Sequence, residues 1–399
     1  MADFTPYASN PVNECNEKKR KNVDQCSSSG FTSRDEDYEI SSIKTILPEN
    51  YNKLEFSPSK KGELLVVKHS LHLESITDIK KREMEVHLTL WHGMNWQDYR
   101  LPNLKVGELH VYHPESVKYI FVPYQVFRVI KSMAVADLLT PIASLLFSSN
   151  HTVTLWIQYY VVLFCPMDFR NYPMDVQVCN LTFNCKDKTI NQLTQEWNTI
   201  SLTVDSKIEK ALPEYSPYFN IEEPSAVIFQ GYTFSSVQLT VKLRRNFKGH
   251  MLSVFFPSVI FELLSWLTLF IPSHYVQPRI TLAITTLLTI ITLSTNVQSA
   301  LPPMDKAMRA IDLWFMSCLM VTFCVLLETV VIVSVSVKYG VVTQKYNNMD
   351  KQKYLVKIKK RLDTAENVFT VLLLAGVIVF NITFWSYYLT SEAHAETRT

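Results

Sequence analysis

The chain has 399 residues, of which 39 are Lys or Arg and 37 are Asp or Glu, so its formal net charge is only +2. This balance does not indicate a nucleic-acid partner, and no basic stripe with interleaved aromatic residues marks a nucleic-acid surface. Residues 1 to about 248 have the polar composition of a globular protein, whereas long apolar blocks follow from His250 onward. The division predicts a soluble domain joined to a membrane domain.

Residues 1–35 are predicted to form a loosely structured N-terminal extension with a linker at Ser27–Gly30. The start, Met1–Asp3, lacks the apolar core of a signal peptide, so we expect that an export signal was cleaved or replaced before this numbering begins. A short helix is predicted at about 36–46, ahead of the first strand.

Alternating apolar and polar residues predict β-strands throughout the domain 36–248. Val86–Leu90 and Val237–Leu243 alternate strictly, and Thr152–Phe164 is rich in β-branched and aromatic residues. Such patterns are typical of strands with one buried face, and their spacing indicates an antiparallel sandwich. Acceptor sequences for N-glycosylation occur at Asn150 and Asn180.

Seven cysteines divide between the two halves of the chain. Cys318 and Cys324 lie in an apolar block and are predicted to be membrane-buried thiols. If the polar half is extracellular, we expect its cysteines to form two disulfides, and Cys185 is then left without a partner. The predicted disulfides are Cys165–Cys179 and Cys15–Cys26.

Four apolar segments are each long enough, at about 20 residues, to cross a bilayer. They run roughly over 251–271, 280–299, 310–337 and 367–389. Four such blocks in succession disfavour the alternative, buried helices of a large soluble protein. The predicted divisions are three membrane helices in 249–337, a cytoplasmic linker at 338–362, a fourth membrane helix at 363–391 and a tail at 392–399.

Charge in the loops predicts the orientation. The segment 338–362 has eight Lys or Arg residues against one acid, Asp350, and such an excess belongs in the cytoplasm. Both termini are therefore expected outside the plasma membrane. Lys353–Leu362 contains neither Pro nor Gly and is predicted to be a short cytoplasmic helix that runs into the fourth span.

The segment Cys165–Cys179 encloses thirteen residues that include Phe169, Pro173 and Asp175. A simple stabilising disulfide is the alternative interpretation, but the interior Pro and Asp resemble the signature loop of the Cys-loop receptors, the pentameric ligand-gated channels. Further motifs follow in the family's order. These are Trp96–Leu101 (W-x-D-x-R-L), Arg244–Asn246, Pro257, Ser265–Trp266 and Ile284–Thr289.

The resemblance spans roughly residues 36–389. It implies an α+β membrane protein with an extracellular antiparallel β-sandwich and a four-helix transmembrane domain, assembled as a pentamer. It also implies four further subunits, expected to be copies of this chain, a small extracellular ligand, and neither cofactor nor metal. Within the family, the chain looks more similar to the anion channels, the branch of the glycine and GABA receptors. An invertebrate origin is expected.

The second span is unusual for a membrane helix because it is rich in hydroxyl groups. Its threonines recur at spacings of three and four, which places them on one helical face together with Leu288, whereas Leu282 and Ile291 are predicted to point elsewhere. Threonines that bond their own backbone one turn back are the alternative. A hydroxyl stripe interrupted by one large apolar ring is suited to a gated aqueous pore. The predicted pore-lining residues are Gln277, Arg279, Thr281, Thr285, Leu288, Thr292 and Thr295.

Ion selectivity is predicted from the inner mouth, Val276–Arg279. The mouth has no Asp or Glu and contains a cation, Arg279, and its connector carries a proline, as in the family's anion channels, although Gln277-Pro278 replaces their usual Pro-Ala. We therefore expect chloride conduction.

The ligand site is expected between subunits, in an aromatic box that in the family attracts ammonium groups. Lys186 stands where the family usually has an aromatic residue, and the third loop has no adjacent cysteine pair, which disfavours acetylcholine. An acidic, neutral or amphipathic ligand is expected. The predicted site residues are Trp91, Phe121, Tyr124, Gln158, Lys186, Tyr232 and Phe234.

Asp175 and Arg245 resemble a buried acid–base pair at the junction of the two domains, and this resemblance implies a role in coupling. The loop Ser75–Asp78, together with Phe169 and Pro173, is expected to press on the connector Pro302–Lys306. Glu262 in the first span is a candidate functional acid, although we favour a structural hydrogen-bonding role.

Two other functions stay open, and an enzymatic function is not expected. An enzyme is disfavoured because the sequence has no phosphate loop, no metal-spaced His/Cys cluster and no nucleophile motif. A membrane-anchored binding protein that does not conduct would need one span rather than four. A cation-conducting, proton-gated or orphan subunit that needs a partner is the remaining alternative.

Overall fold

The computed structural model of this chain describes residues 47–56, 63–103, 109–111, 114–136, 143–271, 275–303, 308–345 and 349–397. The predictions for the N-terminal extension, the helix at 36–46, the pair Cys15–Cys26 and Lys306 lie outside these residues.

The outer domain consists of eleven described strands and a one-turn helix at Lys207–Ala211. The strands are β1 (Leu65–Lys80), β2 (Glu85–Gln97), β3 (Leu109–Val111), β4 (Val126–Arg128), β5 (Ile130–Val135), β6 (Ala143–Ser148), β7 (Thr152–Phe164), β8 (Val176–Asn184), β9 (Leu193–Val204), β10 (Tyr215–Phe229) and β11 (Tyr232–Arg245).

The strands form two sheets that pack face to face. One sheet has the order β3-β6-β7-β2-β1-β9, with β5 also paired to β7, and the other has the order β10-β11-β8-β4. Among the described strands the pairings are antiparallel except that of β1 with β9, which is parallel, as the long connection between these strands allows. The predicted sandwich is confirmed, with this one exception to its antiparallel character.

The core of the outer domain consists of the apolar residues that alternate with polar residues along the strands. Val237, Leu239, Val241 and Leu243 on β11 are fully buried, because every second side chain of a strand faces the same side of its sheet. The apolar cluster continues without interruption from these strands to Ile311 in the membrane domain. Packing therefore joins the two domains directly.

Four helices are long and apolar enough to cross a membrane, which makes the chain a multi-pass membrane protein. We call them spans 1 to 4: Lys248–Phe270, Gln277–Ser299, Ala310–Val335 and Lys360–Tyr388. The helix of span 3 continues to Lys345, and that of span 4 occupies Met349–Thr397, so the predicted cytoplasmic helix and span 4 form one continuous helix.

Candidate functional site

Span 2 presents the predicted threonine face to solvent in the isolated subunit. Thr281, Thr285, Thr292 and Thr295 are all exposed, and Leu288 is 56% exposed among them. Gln277 is exposed at the start of the helix. Ile291 was predicted to point elsewhere but is also exposed, so the open face is wider than the threonine stripe.

The hydroxyl groups of this face are bonded to their own helix. Thr285, Thr292 and Thr295 donate to carbonyl oxygens three residues back, at 2.9, 2.8 and 2.9 Å. The alternative that threonines bond their own backbone one turn back is thus correct as to hydrogen bonding. It does not exclude a pore, because each hydroxyl oxygen keeps acceptor capacity on the exposed face.

Arg279 does not line the exposed face, and here the prediction from sequence was wrong. Its side chain is fully buried and pairs with Glu328 of span 3 and Glu366 of the helix of span 4. A cationic residue at this helical position can reach carboxylates on neighbouring helices, and a charge in an apolar environment requires such partners. The sequence spacing alone did not reveal them.

Four of the predicted ligand-site residues are accessible. Trp91 is half-buried on β2, opposite His72 and Gln158 on the flanking strands. Tyr124 and Tyr232 are 63% and 62% exposed. Lys186 is exposed at the end of β8.

The Lys186 ammonium group lies 4.8 Å from the centre of the Phe229 ring. Phe229 pairs with Tyr232 across the tip of the β10–β11 hairpin. The two turn residues, Gln230 and Gly231, both have positive φ, which such a tight hairpin requires. Lys186 therefore brings a positive charge to an exposed aromatic hairpin tip.

The other three predicted ligand-site residues have buried side chains in the subunit. Phe121 packs edge-on against Phe56 in a second apolar cluster, and Phe234 is 8% exposed on β11. Gln158 is buried and donates a hydrogen bond to Glu74. Phe121 serves the core, so its placement in the ligand site is corrected. Phe234 and Gln158 alternate with the core residues of their strands and therefore lie on the outer faces of the two sheets, where Gln158 pairs with Trp91. Their role in the ligand site stays a prediction.

Two histidines that the sequence did not single out form a buried pair between the sheets. His69 on β1 and His92 on β2 stack with ring centroids 5.2 Å apart, and His69 Nδ1 lies 2.9 Å from His92 Nε2. Burial lowers the pKa of His69 to about 3 and that of His92 well below its usual range. Their inward positions in alternating strands were the available signal.

The predicted coupling pair is present at the base of the outer domain. Arg245 Nε and Nη2 donate to the two carboxylate oxygens of Asp175 at 2.7 and 3.1 Å, and Nη1 donates to Glu214 at 2.7 Å. The guanidinium lies 4.7 and 4.5 Å from the ring centres of Tyr172 and Tyr215. Burial alone would lower the Arg245 pKa, but the bonds to Asp175 raise it.

The loop closed by the Cys165–Cys179 disulfide contacts the start of span 3. The carbonyl oxygens of Arg170 and Tyr172 accept hydrogen bonds from the backbone N–H groups of Ala310 and Ile311, at 2.9 and 3.2 Å. The first N–H groups of a helix have no partner within it, so the loop supplies one. Sequence analysis missed this contact, although the free N–H groups were a signal for it.

The remaining predicted residues are placed as follows. Phe169 is buried in the apolar cluster that crosses the domain junction, whereas contact of Asp78 or Pro173 with the Pro302–Lys306 connector stays a prediction. Cys185 is buried with its thiol 2.9 Å from an Asp187 oxygen, and burial raises the pKa of that thiol to about 12. Exposed asparagines occur at the two predicted glycosylation sequences, Asn150 and Asn180.

Two models of known protein families match the chain. The one described as the neurotransmitter-gated ion-channel ligand binding domain matches residues 41–247. The one described as the neurotransmitter-gated ion-channel transmembrane region matches residues 254–368. These ranges contain the sandwich, most of span 1, spans 2 and 3, and the start of span 4.

Proposed function

The chain belongs to the neurotransmitter-gated ion-channel family, a family of pentameric ligand-gated channels rather than enzymes, and we propose that it forms a plasma-membrane channel whose pore conducts anions. In the proposed assembly five copies surround the pore, and both termini are extracellular. A small ligand bound between outer domains opens the pore.

The exposed face of span 2 is the observation that carries the proposal. One helix cannot enclose an ion path, and a hydroxyl-bearing face that is left open in the subunit has its natural use around a shared aqueous axis. Leu288 is the large apolar side chain predicted in that stripe. A ring of five such residues would close a narrow pore by excluding water.

Anion selectivity is supported by charges other than that of Arg279. The sequence has no Asp or Glu between Glu262 and Asp305, so the pore helix and the loop before it carry no carboxylate. Eight basic residues lie in the proposed cytoplasmic segment 338–362. A local excess of positive charge raises the concentration of anions near the inner mouth.

The ligand class is proposed from Lys186. An ammonium group beside the Phe229 ring occupies the place that a cationic ligand would need, and it repels such a ligand. The same group attracts a carboxylate. We therefore propose that the agonist carries an acidic group and binds between subunits, with Lys186 and Tyr232 at the hairpin tip of one subunit and Trp91 of the next.

The test is expression of the full chain in oocytes under voltage clamp, with glutamate, GABA, glycine and choline applied in turn. We expect current with an acid-bearing compound, with a reversal potential that follows the chloride gradient. Lys186→Ala should raise the required agonist concentration at least about tenfold, since a charge-assisted hydrogen bond contributes about 1.5–3 kcal/mol. Lys188→Ala is the matched control, because Lys188 contacts the ring of Phe56 instead.

Three outcomes would contradict parts of this proposal. A reversal potential that follows sodium refutes anion selectivity. Saturable gating by choline that Trp91→Ala abolishes refutes the acidic ligand. Current that requires a second, different subunit refutes the homopentamer.

A further inference from the structure

The inner end of the pore helix is linked to two other spans by a buried ion cluster. Arg279, in the first turn of the helix Val276–Ser299, has a fully buried side chain. Its Nη2 donates to Glu366 Oε1 at 2.5 Å and to Glu328 Oε2 at 3.3 Å. We call these three residues the Arg279 cluster.

The cluster leaves part of its hydrogen-bonding capacity unused. Arg279 Nε and Nη1 and Glu328 Oε1 are buried atoms without a partner among the described residues. Both carboxylates contact the same guanidinium nitrogen rather than the bidentate fork that a guanidinium offers. The charge is therefore held inside the subunit by ion pairing rather than by a complete hydrogen-bond network.

The alternative location for this charge is close by. Arg279 lies in the first turn of the helix, beside the exposed residues Gln277 and Pro278, and about 3 Å along the helix axis from Thr281, which faces the opposite side. An arginine side chain is long enough to turn from the bundle interior toward water at a helix end. The carboxylates oppose that turn because each would lose its partner.

We propose that Glu328 and Glu366 are positioning residues for ion selectivity, because they hold the Arg279 charge away from the ion path. The inference rests on the proposed channel function and concerns what sets the charge of its inner mouth. Since Glu366 lies on the helix of span 4, this helix takes part in selectivity without reaching the pore.

The experiment compares permeability ratios in channels that open without agonist. All variants carry Leu288→Ser, which removes the apolar ring, and reversal potentials are measured after dilution of external NaCl. The variant Glu328→Gln with Glu366→Gln leaves Arg279 without a charged partner. Five charges that move to about 8 Å from the ion in salt solution are expected to raise the chloride-to-sodium permeability ratio about tenfold.

Two controls show whether Arg279 causes the change. Adding Arg279→Gln to the double variant should return the ratio to that of the Leu288→Ser parent. Glu262→Gln removes a buried carboxyl group of span 1 that contacts the Cys318 thiol, and it should leave the ratio unchanged. An unchanged ratio in the double variant overturns the inference, as does a change that persists after Arg279→Gln is added.

Failure of the channel proposal gives a different result. Leu288→Ser protein that reaches the cell surface and conducts nothing refutes the proposed function itself. If the double variant fails to reach the surface, as shown by biotinylation, the single variant Glu366→Gln replaces it. We then expect a smaller increase in the same ratio, and an unchanged ratio overturns the inference.

Discussion

Removing the carboxylate of Asp175 is expected to destabilise the junction between the outer domain and the membrane domain. Asp175 and Arg245 have side chains only 2% and 0% exposed, and they are joined by two hydrogen bonds. In Asp175→Asn the guanidinium stays buried with its charge, and its remaining acidic partner is Glu214, which is 37% exposed and also pairs with Lys81.

The magnitude follows from the burial of the pair. Loss of one partner of a buried ion pair destabilises a protein by about 3–5 kcal/mol. For a domain of this size, each kcal/mol lowers the thermal midpoint by about 2–4 °C. We therefore expect Asp175→Asn to lower the thermal midpoint of the outer domain by about 6–20 °C and to reduce the amount of receptor at the cell surface.

The assay is thermal unfolding of purified protein in detergent, together with surface biotinylation. Asp168→Asn is the matched control, because it removes a carboxylate of the same loop whose partner, Arg170, is 71% exposed. The control should behave as wild type, since exposed pairs contribute little. A thermal midpoint and surface level of Asp175→Asn equal to those of the control would refute the reasoning.

Three further predictions concern the core, the gate and the signature loop. Burial depresses the pKa of His69 and His92, so the unfolded chain gains protons as pH falls below about 6.5 and the folded chain does not. Stability should therefore fall by up to about 1.4 kcal/mol per pH unit for each histidine, and circular dichroism melts should show a weaker acid loss in His69→Gln/His92→Gln. Leu288→Ser should conduct without agonist, unlike Leu282→Ser, when both are tested under voltage clamp. Cys165→Ser should lower stability by about 3 kcal/mol, measured as loss of surface protein, and normal surface levels would contradict this.

The features predicted correctly from sequence are those with a local period or a strong spacing. The strands β2, β7 and β11 followed from alternation, the four spans from hydropathy, and the open face of span 2 from the threonine spacing. The Cys165–Cys179 bond followed from the distribution of the cysteines, and the Asp175–Arg245 pair followed from resemblance. Each signal is contained in a short segment or an established motif.

The features that sequence could not supply depend on contacts between distant segments. Arg279 was assigned to the pore as a cation at the inner mouth, and its burial was not apparent because its carboxylate partners lie 49 and 87 residues further along the chain. Phe121 was assigned to the ligand site although it lies in the core, because aromatic residues serve cores and binding sites alike. Side-chain burial decides between these roles, and a single sequence does not give it.

The claim that the open face of span 2 lines the ion path can be tested most directly by cysteine substitution. Single variants with cysteine at Thr281, Thr285, Leu288, Thr292 or Thr295 are exposed to a charged, water-soluble thiol reagent during voltage clamp, with Leu282→Cys as the control. The account predicts that modification changes the current at these five positions and leaves it unchanged at Leu282. Modification that acts at Leu282 and has no effect at the five positions would contradict the account.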